Sequence, residues 1–344
     1  MPKVAIIACG NGFGHVRRCA LIAEALSGRG ANVTLFAPAL AVQRIDRSVG
    51  VGDSLTIIDF DTATNAESLR EAQAHTAQWE QRLPPLNRFD VVLCDNLPEI
   101  LAVRKDAILS GNFLWHQALP DIATEIYMRA DALLAKHCPL MITYGPFAAK
   151  HLKKAVHCLP VSLLQARRQI AGDERNALLI TCGNSHAMWS ETKSLIALVA
   201  SGPKPAVAEV FVEPDLLPAD APAWMSEADY SPAMYDRLHC AIARPGMGTV
   251  SDCLASGVRV FAFHERNNFE MADNSRQLEV LKVGECCADG LDAWKRVRGY
   301  LRNIQGQTVP TDAFDRLEFG GAEAAALHIL KVFENKRSLS EHRT

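Results

Sequence analysis

Three clusters of glycine and polar residues each follow a short apolar run and open a segment with helical spacing. The first is Gly10-Asn11-Gly12-Phe13-Gly14-His15. A strand, a glycine turn and a helix start form an anion cradle, because the free N–H groups of a first helical turn point outward. Gly12 and Gly14 let the backbone come close to a ligand. His15 sits near the positive end of the helix dipole, which favours the neutral imidazole that a general base needs. In the simpler alternative His15 only caps the turn. The spacing departs from the dinucleotide fingerprint G-x-G-x-x-G, and the strand at 32–37 ends without an acid, so hydride transfer on NAD loses its support.

The second cluster is Arg244-Pro245-Gly246-Met247-Gly248-Thr249-Val250-Ser251-Asp252. Gly246, Gly248 and Thr249 at a helix start suit a diphosphate. Asp252, one turn in, can accept from ribose hydroxyls, or can simply be a carboxylate well placed in a first turn. The third cluster runs His264-Glu265-Arg266-Asn267-Asn268-Phe269-Glu270-Met271-Ala272-Asp273-Asn274. Ligands of open α/β sheets sit at the carboxyl ends of strands, so Asn268 and Glu270 are candidates for holding sugar hydroxyls. The alternative is a polar loop with Asp273 or Asn274 as a helix cap.

Asp95 ends a fourth apolar run. In the usual order of such sheets the first and fourth strands are neighbours, so Asp95 can orient His15 and stabilise its charged form, as the acid of a triad does. A structural cap for the next loop fits it as well. Asp59-Phe60-Asp61 has the D-x-D form of a metal ligand pair. The helix start at 246–249 can neutralise a diphosphate without a metal, so the pair is read as solvated residues ending a strand.

These residues need elements to position them. Apolar runs at 3–9, 31–37, 55–60, 89–94 and 107–110 read as strands, and 16–27 and 66–82 as helices. Residues 150–168 are basic and broken by Pro160, which reads as a linker. The pattern then restarts, with strands at 177–182, 208–212, 240–243 and 258–263. Helices are expected from about 190, at 249–256, and at 273–283 stopped by Gly284; Pro214, Pro218 and Pro222 mark a loop. Buried strands alternating with helices imply parallel sheets covered on both faces. The domains expected are 1–160, carrying the base and the acceptor site, and 161–335, binding the nucleotide, with 336–344 a polar tail.

Composition narrows the function. The 344 residues are 49% hydrophobic and 22% charged with a formal net charge of -3, which excludes disorder over most of the chain. The near balance of 36 Lys+Arg against 39 Asp+Glu argues against nucleic acid as a partner. No apolar stretch approaches the roughly 20 residues of a transmembrane helix. The run at 4–9 is too short for a signal peptide, so a cytoplasmic protein is expected. No basic amphipathic helix stands out, and peripheral membrane contact stays open. The ten cysteines form no C-x-x-C pair and read as small core hydrophobes.

Together these motifs resemble the GT-B glycosyltransferases, with the peptidoglycan N-acetylglucosaminyltransferase and the plant and macrolide UDP-glycosyltransferases as examples. Gly12-Phe13-Gly14-His15-Val16-Arg17-Arg18 is similar to the superfamily's G-x-G-H-x-x-R/P stretch, and residues 244–274 to its donor-binding region. The N-terminal motif also resembles that of the pseudaminic-pathway UDP-sugar hydrolase. The segment around Asp95 and 110–115 resembles the N-terminal region of plant arabinokinases.

The resemblance implies an α/β fold of two Rossmann-like doubly wound domains facing across a cleft. It makes His15 the catalytic base and Gly246, Gly248 and Thr249 the diphosphate loop. Asp252 matches the ribose acid, Glu270 the acid of the D/E-Q pair that grips the donor sugar, and Asn274 the Asn that follows it. Gly183 and Ser185 are expected beside the diphosphate, with Arg244 in the donor site. Two positions depart from the pattern. Met271 stands where Gln is common, and Arg244-Pro245 replaces a Ser/His-Gly entry. The implied activity is inverting, metal-independent transfer from a nucleoside-diphosphate sugar, a UDP-sugar in the first instance, to an unidentified acceptor hydroxyl. The nucleotide sugar is a substrate and no cofactor is expected. Loops at 61–66 and 112–120 are candidates for the acceptor pocket. A nucleotide-sugar hydrolase with water as acceptor is the alternative, and a non-catalytic nucleotide-sugar binder the third.

Overall fold

The computed structural model describes residues 1–10, 12–49, 55–62, 79–118, 124–168, 175–183, 185–304 and 312–341. The chain divides into two compact units, Met1–Gln165 with Glu318–Thr344, and Ala166–Leu317.

Among the described residues the first unit holds seven parallel strands: β1 (Lys3–Ile7), β2 (Asn32–Ala37), β3 (Thr56–Asp59), β4 (Val91–Asp95), β5 (Ile108–Ser110), β6 (Leu140–Tyr144) and β7 (His157–Val161). Their spatial order is β3-β2-β1-β4-β5-β6-β7. The order reverses between β1 and β4, which pair in parallel with Ile7 opposite Cys94. Helix α1 (Phe13–Gly28) follows β1, α2 (Ala39–Val49) follows β2, and α3 (Thr124–His137) precedes β6.

Cover on both faces explains why β1 is apolar from Val4 to Ile7, with only Lys3 at its start exposed. Val4 and Ile6 face α1, while Ala5 and Ile7 face Phe36, Trp79 and Leu97 on the other side. At about 25 cal/mol per Å², burying both faces is the dominant favourable contribution to this layer.

Residues 157–161 form β7 and no linker. Pro160 is tolerated because β7 is the edge strand, where a missing N–H breaks no ladder bond. Residues 336–344 were expected as a tail, and the domain starting at 161 was expected to run to 335. Instead α8 (Gly321–Glu341) belongs to the first unit, burying Ala322, Ala325, Ala326 and Ile329 in its core. Most of the helix expected at 66–82 lies outside the described residues, and Trp79–Arg82 is a 3-10 turn.

Among the described residues the second unit has six parallel strands in the order β10-β9-β8-β11-β12-β13. They are β8 (Ala177–Thr181), β9 (Glu209–Val212), β10 (Met225–Glu227), β11 (Leu238–Ala243), β12 (Arg259–Ala262) and β13 (Gly284–Cys286). Its main helices are α4 (His186–Ser201), α5 (Met247–Ala255), α6 (Phe269–Val280) and α7 (Gly290–Ile304). Leu178, Ile180, Val210, Val212 and Ile242 pack against Leu195, Ile196 and Val199 of α4 and Val297 of α7.

Helix α6 starts earlier than expected and stops at Val280, with Asn268 as its N-cap. Asp273 and Asn274 are therefore inside the helix and cap nothing. Lys282, at φ 61, turns the chain out, and Val283 N–H closes on Leu278 O at 3.0 Å. Gly284 is the first residue of β13. A Cβ there would lie 2.4 Å from Val260 O, so close strand packing accounts for the glycine. All ten cysteines are free thiols, and Cys287 is buried beside a half-buried Cys286.

Candidate functional site

The chain leaves β1 through Gly10, whose N–H donates to Thr62 Oγ1 at 2.9 Å. Gly12 is the N-cap of α1 at φ 104, a conformation that needs glycine. Gly14 and His15 are the second and third residues of the helix. His15 therefore projects from the first turn at the carboxyl end of β1, and Asp95 ends the neighbouring β4.

The two side chains meet. His15 Nδ1 lies 2.5 Å from Asp95 Oδ2. So short a contact requires a proton between them, and the carboxylate accepts from Nδ1–H. Asp95 is completely buried, whereas His15 keeps 16% of its side chain accessible. Arg18, one turn along α1, donates from Nε to Oδ1 at 3.0 Å and from Nη2 to Oδ2 at 2.8 Å. Ser110 Oγ–H donates to Oδ1 at 2.8 Å from the end of β5. Burial works against ionisation of Asp95, yet Arg18 and then His15 outweigh it and hold the carboxyl at about 2. The Arg18 guanidinium also lies over the Tyr144 ring, 5.3 Å from its centroid.

A second set lies at the carboxyl ends of β8, β9, β11 and β12. Gly246 is the N-cap of α5, and no side chain caps this helix. The outward N–H groups of its first turn, which includes Gly248 and Thr249, are oriented for an anion. Gly183 adopts φ 55 and donates its N–H to Thr181 Oγ1 at 3.0 Å. Ser185 is the N-cap of α4 without a side-chain capping bond. Asn184 of that turn, like Asn11 of the first, lies outside the described residues.

Other expected donor residues are placed differently. Arg244 is bound by Glu265, with Nη2 to Oε1 at 2.6 Å and Nε to Oε2 at 3.0 Å. Burial opposes ionisation of Glu265, but the Arg244 guanidinium holds its carboxyl below the ordinary range. Asn268 was expected to offer its amide to a sugar. Instead Oδ1 accepts from Met271 N at 3.1 Å and Nδ2 donates to Glu265 Oε1 at 3.0 Å. Asn274 is buried and donates to Pro245 O at 2.9 Å, tying α6 to the loop before α5. Asp252 is only 2% exposed, so it is not presented at the surface. Glu270 is half-buried in the first turn of α6, while Met271 is turned into the core.

Sequence reasoning missed four partners. Arg18 stands three residues after His15, the spacing of neighbours on one helix face, and that spacing was the available signal. Glu265 lies inside the third polar cluster. Glu213 and Tyr230 carry no motif at all. Glu213 is buried, and its Oε2 accepts from Thr181 Oγ1–H and Tyr230 O–H, each at 2.5 Å.

Asp59 caps α2, accepting from Ala39 N at 2.9 Å. Among the described residues no group of three His, Cys, Asp or Glu is placed to hold a metal ion. Of the loops expected to line an acceptor pocket, 63–66 and 119–120 lie outside the described residues. His116 is buried, with Nε2 2.9 Å from Asp131.

No family model matches the chain, and no curated protein matches it in sequence. Solved structures do. The glycotransferase of kitacinnamycin superposes with a TM-score of 0.62 at 16% identity, covering 96% of this chain and 98% of that one. Arabidopsis thaliana UGT89C1 complexed with UDP gives 0.63 at 14%, covering 97% and 99%. The spinosyn rhamnosyltransferase SpnG complexed with thymidine diphosphate gives 0.61 at 16%, covering 97% and 100%. The order of both sheets and these superpositions along nearly the whole chain establish that the protein has the GT-B glycosyltransferase fold, with two Rossmann-like units.

Proposed function

We propose that the chain is a glycosyltransferase that moves a sugar from a nucleoside-diphosphate sugar to an acceptor hydroxyl, inverting the anomeric centre without a metal. A UDP-sugar is the first donor to test. The observation that carries this reading is the 2.5 Å contact of His15 with the buried Asp95 at the strand-order reversal of the first sheet.

With Nδ1–H committed to Asp95, the lone pair of His15 Nε2 takes the proton of the acceptor hydroxyl. The acceptor oxygen forms a bond to the anomeric carbon as the bond from that carbon to the diphosphate oxygen breaks. The diphosphate leaves with the electron pair. The first-turn N–H groups of α5 at Gly248 and Thr249 stabilise the charge that develops, with Gly246, whose N–H is bonded to Arg244 O at 2.8 Å, shaping the turn and Gly183 and Ser185 assigned beside the diphosphate. Glu270 is assigned to the donor sugar, and the nucleotide sugar serves as substrate with no cofactor. No described helix is long and apolar enough to cross a membrane. The reading takes the cytoplasm as the compartment, where the ten free cysteines stay reduced.

General-base help is worth about 10²–10⁴ in rate. His15→Ala should lose turnover in that range while nucleoside-diphosphate binding survives. Unchanged turnover in the variant would end the base assignment. Product analysis with no acceptor present separates transfer from hydrolysis.

A further inference from the structure

Arg244 opens the loop that leads from β11 into α5, and the structure shows how its three nitrogens divide. Nε and Nη2 are both bound to Glu265. Nη1 lies on the other side, 3.8 Å from where a Cβ on Gly246 would sit. Gly246 is the uncapped N-cap of α5. Among the described residues Nη1 donates to no partner. The guanidinium is planar and rigid, so gripping one edge fixes the direction of the remaining N–H groups. Asn268 holds Glu265 in turn, and Asn274 anchors Pro245, so the grip is braced from α6 on both sides.

We propose that Glu265 is a positioning residue that turns Arg244 Nη1 toward the first turn of α5, where it meets the diphosphate of the donor. The proposal rests on the donor reading above and adds a cation to the leaving-group site. It carries a sign that bare charge does not. Removing a carboxylate beside an anion site strengthens anion binding by Coulomb's law. Here Glu265→Gln should weaken it, because Arg244 loses its orientation.

Calorimetry with inorganic pyrophosphate tests this, beside UDP, dTDP and GDP and their phosphate-free nucleosides. Arg244→Gln should lose at least tenfold in pyrophosphate affinity and Glu265→Gln at least threefold. Nucleoside affinity should stay within twofold in both, which a merely structural defect would not allow. If Glu265→Gln fails to fold, Arg244→Lys carries the test. It keeps the charge but has no second edge, and should bind pyrophosphate as poorly as Arg244→Gln. A Glu265→Gln variant that binds pyrophosphate as tightly as the wild type or more so overturns the proposal. So does an Arg244→Lys variant that keeps wild-type affinity. A wild type that binds none of the three nucleotides overturns the donor reading itself.

Discussion

Arg18 grips Asp95 through two nitrogens, at 3.0 and 2.8 Å, on the same carboxylate that touches His15 Nδ1 at 2.5 Å. A single buried negative charge therefore faces a permanent cation and an imidazole that turns cationic when it takes a proton. With Arg18 holding it at about 2, Asp95 stays a carboxylate under all ordinary conditions and does not take the His15 proton. Its part is orientation and charge stabilisation, as in a hydrolytic triad.

Asp95→Asn should show both parts. Loss of the fixed tautomer is worth up to about 10⁴ in turnover. Leaving the buried Arg18 without its counter-ion should cost about 3–5 kcal/mol of stability. The folded carboxyl lies at about 2, below its ordinary 3.8. Its stabilisation is thus present above pH 4 and lost as pH falls through 2. Wild type should lose about 2 kcal/mol across that window that the variant does not. Urea titrations at pH 2.5 and 6 beside steady-state kinetics check this, and parallel pH curves would refute it.

Arg18→Lys separates charge from geometry. Lysine keeps the cation but cannot fork onto Oδ1 and Oδ2, and it stacks poorly on Tyr144. A stability loss of about 1–2 kcal/mol is expected, with a larger proportional fall in kcat than in nucleotide affinity. Equal falls in both would mean that Arg18 does nothing specific for His15.

Much of this was legible in the sequence where local chemistry decides it. The strand–glycine–helix starts at Gly12 and Gly246 were readable because turn geometry and helix capping are local. So was the neighbourhood of β1 and β4, which follows from the order of such sheets. What escaped was set by distance along the chain. Asn268 and Asn274 looked like ligand groups, and only the fold shows their amides engaged by Glu265, Met271 and Pro245. Helix α8 returns to the first unit across more than a hundred intervening residues, which no periodicity reveals. Pro160 looked like a break because its place on an edge strand is a property of the sheet.

The hydroxyl pair on Glu213 yields a third stability prediction. Tyr230 sits at φ 54, held in an uncommon conformation while its hydroxyl reaches the buried carboxylate. Tyr230→Phe should cost about 1–3 kcal/mol, because a buried acceptor loses a donor. Thr181→Val should cost more, since Gly183 N–H loses its acceptor as well. A double-mutant cycle by chemical denaturation should give a coupling above about 0.5 kcal/mol. Strict additivity would show that the two hydroxyls do not act as one unit.

Glu99 makes the alkaline side of the stability profile testable. It is 4% exposed in the turn after β4. Burial, followed by repulsion from Glu80, outweighs its favourable contacts and pushes its carboxyl up to about 7, from an ordinary 4.5. The folded state therefore favours the protonated form. Its contribution is fully present below pH 4.5 and is lost as pH rises through 7, the reverse of the Asp95 case. The shift corresponds to about 3 kcal/mol at most. Glu99→Gln replaces the acid with a neutral group of the same shape. It should match wild type at pH 4.5 and exceed it by about 1–3 kcal/mol at pH 8.5, read from denaturant midpoints. A variant that is less stable than wild type at pH 8.5 would show instead that Glu99 is held as a carboxylate by Arg129 and Trp115, the partners that oppose its protonation.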